Sequence, residues 1–243
     1  MSGMPSDPSA VAPKGLAVRL VGVLTSPRET YAAVAARPRA FGVLAVVLGL
    51  AATGSFLLFS SKVGQEALLD QQVQGAEAFG RTISDAQYAQ LQRFASFAGY
   101  FVVASQAIGL PLGMLAVAGV MYGIFNAAMG GEATFKQVFA IVSHSSVVLL
   151  VQSLFVLPLD YARGTIASPT RLLVFVPMLD ETTFLGRLLS SIDLFTIWGT
   201  ISLAIGLGVL YKRRTAPIVT TMLMTYGALA LLIAAVRTAL AGA

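Results

Sequence analysis

The stretch that decides the fold is residues 40–60, AFGVLAVVLGLAATGSFLLFS. It contains no charged side chain, and it has the length that a helix needs to cross a hydrocarbon core ~30 Å thick. Inside lipid, every backbone N–H and C=O group must find its partner within the protein, which favours an α-helix. The stretch therefore predicts a transmembrane helix.

The composition extends this prediction to the whole chain. Of its 243 residues, 56% are hydrophobic and only 11% are charged, whereas a soluble domain carries roughly a quarter charged residues. The net charge of +5 comes from basic residues beside apolar runs, without an aromatic-interleaved patch. This placement follows the positive-inside rule and predicts no nucleic-acid partner. We expect an all-α membrane protein whose main partner is membrane lipid.

Four further apolar runs bring the predicted number of spans to five. The long run around Pro111 is interpreted as one tilted helix that bends at the proline. Splitting this run would place the basic cluster 212–214 on the opposite side of the membrane from the N-terminus, against the positive-inside rule. The predicted spans are residues 40–60, 97–129, 137–158, 190–211 and 216–240, which together form a domain over residues 40–243.

The loop charges predict the orientation of the bundle. With a cytoplasmic N-terminus, the inside loops are basic and the outside loops are balanced, as the rule requires. An arginine-rich and alanine-rich composition is typical of a bacterial protein. We therefore expect a multi-pass protein of the bacterial cytoplasmic (inner) membrane, with its N-terminus in the cytoplasm and its C-terminus outside.

Residues 1–39 are predicted to form a cytosolic tail followed by an interfacial amphipathic helix. The segment 26–29 has a capping serine, a proline at the first helical position and a glutamate three residues after the cap. A helix over 27–36 would place Tyr31 and Val34 on one apolar face and its arginines toward lipid head groups. The alternative is a loop with one helical turn.

Two long segments are predicted on the outer side. The pattern at 84–87 is typical of a capping box that begins a helix, and Asp180 is a candidate cap for a helix that begins at Glu181. The sequence leaves open whether the apolar stretch 172–176 enters the membrane.

Polar residues inside a span are candidates for a site, since they are costly in lipid. Asp193 is the one acid within a predicted span, and Thr196 and Thr200 share its helical face. The third predicted span carries a second stripe, and the second span adds two amides. These stripes either line a polar cavity for a head group, proton or small solute, or hydrogen-bond between helices and hold the bundle together. The stripe residues are Gln137, His144, Ser145 and Gln152, and the amides are Gln106 and Asn126.

His144 is the single histidine, and the chain has no cysteine. Its predicted depth differs from that of Asp193 by roughly 10 Å at 1.5 Å per residue, so no direct pair is expected. We interpret His144 as a structural side chain rather than a proton relay. One histidine without cysteines predicts no metal site.

Glycines at four-residue spacing are interpreted as packing positions, because small residues let helix backbones approach closely. They serve either the interior of the bundle or an oligomer. The positions are Gly109, Gly113, Gly119, Gly123 and Gly206. The chain contains no zinc-protease, nucleophile-elbow, phosphate-loop or dinucleotide motif, which predicts no enzyme and no cofactor.

Three segments taken in order resemble the Yip family, the Ypt/Rab-interacting-protein type of polytopic membrane proteins, in its bacterial branch. They are 24–31 (LTSPRETY), 131–139 (GEATFKQVF) and 192–198 (IDLFTIW), and the resemblance covers about residues 16–231. It implies a five-helix bundle with a cytosolic N-terminus. Eukaryotic relatives are associated with Rab GTPases and vesicle traffic, a role that does not transfer to a bacterial chain with a short N-terminal region. The resemblance supplies no catalytic residue.

Two functions follow as hypotheses. The first is a non-enzymatic membrane protein that binds lipid or protein partners, to organise membrane or assist an assembly. A protein partner would be another membrane protein or a second copy of the chain. The alternative is a conduit, namely a transporter, channel or lipid-moving protein, that uses the polar stripes of the third and fourth spans.

Overall fold

A computed structural model of the chain describes residues 15–77 and 81–241 and contains no β-strand within them. The first fourteen residues of the predicted cytosolic tail lie outside the described residues. The helices are α1 Leu16–Thr25, α2 Pro27–Ala36, α3 Phe41–Ser60, α4 Lys62–Glu77, α5 Asp85–Ala95, α6 Ala98–Tyr122, a π-helix Gly123–Ala128, α7 Phe135–Ser145, α8 Val147–Arg163, a 3-10 helix Leu172–Phe175, α9 Phe184–Ser190, α10 Leu194–Leu210 and α11 Thr215–Ala241.

Within the part of the chain that the structure describes, four helical segments are long and apolar enough to cross a membrane. They coincide with the first, second, third and fifth predicted spans. The second is one helix that continues through Pro111, as predicted, and ends in a π-helix. The third is divided at Ser146, where α7 meets α8. The segments are Phe41–Ser60, Ala98–Ala128, Phe135–Arg163 and Thr215–Leu240.

The predicted fourth span, 190–211, differs from the structure. In the structure the helix over this range is interrupted, because residues 191–193 leave the helical conformation between α9 and α10. Asp193 has an extended backbone with φ −116° and ψ 136°, and its side chain accepts backbone N–H groups of α10. In a continuous helix these N–H groups would donate to carbonyls one turn earlier. The carboxylate accepts them instead and thereby begins a new helix at Leu194. The remaining apolar helix, α10, has 17 residues.

Helix α2 has the predicted bounds, but its apolar face is not available to lipid. Tyr31 and Val34 are fully buried, since α2 packs against α7 and α10. The Tyr31 hydroxyl lies 2.7 Å from Ser202 Oγ of α10. Burial raises the pKa of the Tyr31 phenol well above its usual value. The apolar face of α2 therefore packs inside the protein, instead of making the predicted contact with lipid.

The core lies where α2, α3, α6, α7 and α10 meet. Within the described residues it is filled mainly by small and β-branched side chains, which suit close helix packing. Fully or almost fully buried members are Val34, Val43, Val47, Ala118, Val138, Ile141 and Leu207. In contrast, α11 packs mainly on α9 and α10, and much of its apolar surface is exposed.

The outer segments confirm one predicted cap and correct another. Ser84 and Gln87 form the predicted capping box at the start of α5. Asp180 does not cap a helix that begins at Glu181, because α9 begins at Phe184 with Thr183 as its cap. Asp180 instead accepts the N–H and the hydroxyl of Thr182 at 2.8 Å, which lower the pKa of its carboxyl.

Candidate functional site

Asp193 is the N-cap of α10. Its Oδ1 atom accepts the backbone N–H groups of Phe195 at 2.8 Å and Thr196 at 3.2 Å. The first N–H groups of a helix have no partner within the helix, so a carboxylate at this position satisfies them. The same oxygen lies 3.4 Å from Gln152 Nε2 of α8.

The second oxygen of Asp193 is used by the outer segment that precedes α9. Oδ2 accepts the hydroxyls of Ser168, at 3.1 Å, and of Thr170, at a short distance. Each carboxylate oxygen has about two lone pairs, and the described contacts occupy both oxygens. The side chain therefore acts as a fixed anchor that joins α8, α10 and the outer segment.

Backbone contacts reinforce this junction. The Asp193 N–H donates to the Tyr226 hydroxyl of α11 at 3.0 Å, and that hydroxyl donates to Ser191 O at 3.1 Å. On the other side, Leu172 N–H donates to Ile192 O at 2.9 Å. The break between α9 and α10 is thus held by α11 and by the segment that contains the 3-10 helix. Tyr226 and Thr170 are site residues that the sequence analysis missed.

His144 is fully buried and belongs to a different contact group. Its Nε2 lies 3.2 Å from Arg19 Nη1, and its Nδ1 lies 2.7 Å from Ala140 O. A guanidinium only donates, so Nε2 must accept and Nδ1 must carry the proton that it donates to the carbonyl. Arg19 also donates to Arg39 O at 3.2 Å. His144 therefore has structural partners and makes no pair with Asp193.

The polar stripe of the third span does not face the fourth span along its length. Gln137 Nε2 donates to Ala35 O of α2 at 3.0 Å, and His144 contacts α1. The Ser145 hydroxyl donates to the Val142 carbonyl of its own helix. Gln152 is the stripe residue that reaches Asp193. Gln137 and His144 instead contact the α1–α2 pair, which packs beside α7 together with α10.

Asn126 lies in the π-helix and has partners at both ends of its amide. Its Oδ1 accepts the Tyr211 hydroxyl at 2.7 Å, and its Nδ2 donates to Ala133 O at 2.6 Å. The π-helix widens the last turn of this span, a feature often found at functional sites. Asn126 thus connects the turn after the π-helix to the turn after α10.

The five predicted packing glycines fall into two groups. At Gly206 an added Cβ atom would lie 2.4 Å from Ile141 Cγ2 and 3.1 Å from Tyr31 Cδ1, so α10 needs a glycine there to approach α7 and α2. The four glycines of the second span have no atom within 4 Å of such a Cβ position. Of the two roles that the sequence left open for them, the structure provides no close contact within the bundle, and a role in an oligomer stays a prediction. These four are Gly109, Gly113, Gly119 and Gly123.

An open groove runs along one side of α6, and we call it the α6 groove. One part, of about 310 Å³, lies between α6, α7, α8 and α10. A second part, of about 420 Å³, lies between α6, the π-helix, α10 and α11. Thr200 lines both parts, with its hydroxyl donated to Thr196 O of its own helix at 2.8 Å. The groove is defined by Gly109, Gly113, Thr196, Thr200, Ile124 and Thr221.

The described residues, 15–77 and 81–241, contain no group of three histidine, aspartate or glutamate side chains that could hold a metal ion. The arrangement around Asp193 and the α6 groove offers hydrogen-bonding anchors and an apolar surface. Surfaces of this kind are where membrane helices pack against one another.

Comparison with known proteins identifies the family. The family model of the Yip1 domain matches residues 21–237. The chain belongs to the Yip1 domain family. It is also similar to the membrane protein YknW of Bacillus subtilis, strain 168, with 26% identity over 192 residues, which cover 77% of this chain and 76% of that protein. No solved structure matches.

Family membership confirms the resemblance found in the sequence and agrees with the apolar helices of the structure. The chain is a membrane protein of the Yip1 family with helices able to cross a membrane. The comparisons give no support to the conduit alternative.

Proposed function

We propose that this Yip1-family protein is a non-enzymatic five-span membrane protein that binds lipid or protein partners along the α6 groove, and thereby organises membrane or assists an assembly. The observation that carries the proposal is the groove itself. It is largely apolar, borders α6, α7, α8, α10 and α11, and is not filled by any side chain of the described residues. A membrane component is the chemically matched occupant for such a surface.

The five-span topology rests on how α9 and α10 pair with α11. The two shorter helices run together along α11: Tyr226 contacts the break between them, and Arg187 of α9 donates to Arg237 O at 2.6 Å. The discontinuous pair therefore accompanies a 27-residue helix over most of its length. Broken helices are tolerated at membrane depth where protein covers the freed backbone groups.

The pairing of α9 and α10 with α11 also indicates the depth of the outer segment that contains the 3-10 helix. Tyr226 is the twelfth residue of α11, about 17 Å from its first residue at 1.5 Å per residue. The 3-10 helix Leu172–Phe175 is tied to the break at this depth through Leu172 N–H and Ile192 O. We propose that this segment re-enters the membrane from the outside, with the exposed side chain of Phe175 toward lipid.

A cysteine-accessibility experiment tests the topology, since the natural chain has no cysteine. Single cysteines would replace Gly15, Gln72, Glu132, Glu181 and Arg214 in the intact bacterial membrane. A membrane-impermeant maleimide should label positions 72 and 181 from outside, and the other three only after the membrane is opened. Labelling of position 214 from outside would contradict five spans, the cytoplasmic N-terminus or both.

Native mass spectrometry tests the function. The full chain would be released from its own membrane in a mild detergent and measured directly. Retained lipid, or a stoichiometric protein partner, is the expected result. A variant with Asp193→Asn shows whether retention depends on the junction beside the groove. A chain that carries neither lipid nor protein under these conditions contradicts the proposed function.

A further inference from the structure

The α6 groove ends at a polar cavity of about 330 Å³, where two turns of the chain meet. One turn follows the π-helix and contributes Gly131 and Glu132, and the other follows α10 and contributes Lys212 and Arg213. We call this space the basic cavity. It lies at the end of the bundle that carries the basic loops.

The basic cavity and the larger part of the groove share one wall. Phe125 lines both spaces, and its ring stacks on Tyr211 with centroids 4.7 Å apart and planes at 20°. A polar space with cationic side chains thus adjoins an apolar space of about 420 Å³ across one aromatic side chain. The shape and polarity match an amphiphile with one charged end and one hydrocarbon chain.

We propose that this combined site binds an anionic phospholipid, with the phosphate group between Lys212 and Arg213 and one acyl chain in the α6 groove. The inference rests on the proposed function and names its ligand. Basic pockets between spanning helices are a recurring way to hold anionic lipid head groups. The apolar part contributes through the acyl surface that it covers.

The turns that carry the two cations are held in place by close contacts. A Cβ atom on Gly131 would lie 2.6 Å from Tyr211 Cε1 and 2.7 Å from Phe125 O, so only glycine allows this approach. The Asn126–Tyr211 hydrogen bond, at 2.7 Å, joins the two turns. Lys212 has a left-handed backbone with φ 51°, which is rare for a residue with a side chain.

The cations retain donors for a ligand. Arg213 uses Nη2 to donate to Met129 O at 3.2 Å, and its guanidinium has further N–H groups. Lys212 is exposed at the cavity. Glu132 lines the same cavity and offsets one positive charge. Two cations against one carboxylate favour a ligand with a net negative charge.

The test is a competition measured by native mass spectrometry on the full chain. The protein in mild detergent would be stripped of lipid and offered equal amounts of phosphatidylglycerol, phosphatidylethanolamine and phosphatidylcholine. We expect selective retention of phosphatidylglycerol. The double variant Lys212→Gln/Arg213→Gln should lose this retention by about tenfold or more, since each basic residue near an anionic surface changes affinity severalfold.

A matched control removes the same charge elsewhere. Lys62→Gln/Arg93→Gln changes two exposed basic residues of α4 and α5, at the opposite end of the bundle. This variant should retain phosphatidylglycerol as the natural chain does. Equal losses in the two double variants would show that net charge alone governs retention and would overturn the site.

A second pair of variants tests the acyl chain. Thr221→Trp fills the groove and should weaken retention of every lipid, whereas Met224→Trp, at a side chain that is 70% exposed on the same helix and outside the groove, should not. Unchanged melting temperatures show that the variants are folded. Normal retention in a folded Thr221→Trp variant would overturn the proposed path of the acyl chain.

The variant Glu132→Gln tests whether the bound ligand is anionic. An anionic ligand should bind more tightly to this variant, because a repulsive carboxylate is removed. A preference for phosphatidylethanolamine that is lost in Glu132→Gln would overturn the proposal that the ligand has an anionic head group. A bound protein that is lost in the Lys212→Gln/Arg213→Gln variant would overturn it as well. In both cases the proposed function stands. A natural chain that holds neither lipid nor protein contradicts the proposed function itself.

Discussion

Two segments of this protein are equally apolar and are used in opposite ways. Phe135–Arg163 and Thr215–Leu240 both have a mean hydropathy of 2.0, but 56% of the first window is buried within the protein and only 11% of the second. In a membrane, lipid tails are as apolar as a protein core, so hydropathy predicts insertion and does not predict packing. The difference must come from shape and from polar contacts.

The neighbours of the two segments explain the difference. Helix α7 packs against α1, α2, α3, α6 and α10, and its buried side chains are small or β-branched apart from His144. Helix α11 packs chiefly on α9 and α10, and its free side borders the α6 groove. The protein therefore has a packed side around α7 and an open side along α11.

The largest expected effect comes from a pair of aliphatic truncations. Ile141→Ala in α7 should lower the free energy of unfolding by about 2–5 kcal/mol, because a fully buried side chain leaves a cavity. Leu232→Ala in α11, where the side chain is 60% exposed, should change it by at most about 0.5 kcal/mol. Denaturant titration in mixed micelles measures both. A large loss at Leu232 would mean that α11 is covered by a partner.

A glycine pair should give an intermediate effect. Gly206→Ala forces a Cβ atom to within 2.4 Å of Ile141 Cγ2, so we expect a loss of about 1–3 kcal/mol from overpacking. Gly227→Ala in α11 meets no atom within 4 Å and should be neutral or stabilising by up to about 1 kcal/mol, through helix propensity. The melting temperatures of the two variants, compared with that of the natural chain, measure both effects. Equal stability would remove the distinction between a packed and an open side.

The smallest effect concerns the junction that holds α11 to the break before α10. Asp193→Ala removes a helix cap and should cost about 1–2 kcal/mol. Asp193→Asn keeps an oxygen that can accept N–H groups of α10, and it should cost less. Thermal unfolding compares the two variants. An Asn variant as unstable as the Ala variant would show that the charge, rather than the cap, stabilises the junction.

Much of the fold could be predicted from local sequence. Residues 40–60 and the charge-free run through Pro111 predicted helices that the structure confirms. The start of α2 followed from the proline at its first position, although the Ser26 side chain makes no cap hydrogen bond. The capping box at Ser84 followed from capping residues, which act within a few positions along the chain. Such signals are readable because their partners are near in sequence.

The candidate site was less predictable. Asp193 was recognised as a candidate site residue, but its partners Thr170 and Tyr226 are 23 and 33 residues away. Arg19 was not recognised as a partner of His144, which is 125 residues away. The signal that could have found it is a single arginine inside the apolar run Leu16–Thr25, since a lone charge there needs a buried partner.

The sequence by itself determined that this is a helical membrane protein, because insertion depends on summed hydrophobicity and local backbone satisfaction. It also placed the basic turns at one end of the bundle. Only the tertiary structure decided which apolar faces pack and which stay open. Gly206 contacts its neighbours whereas Gly113 faces the α6 groove. The two residues are alike in sequence, and the difference lies in which helices arrive beside them, which is set by contacts distant along the chain.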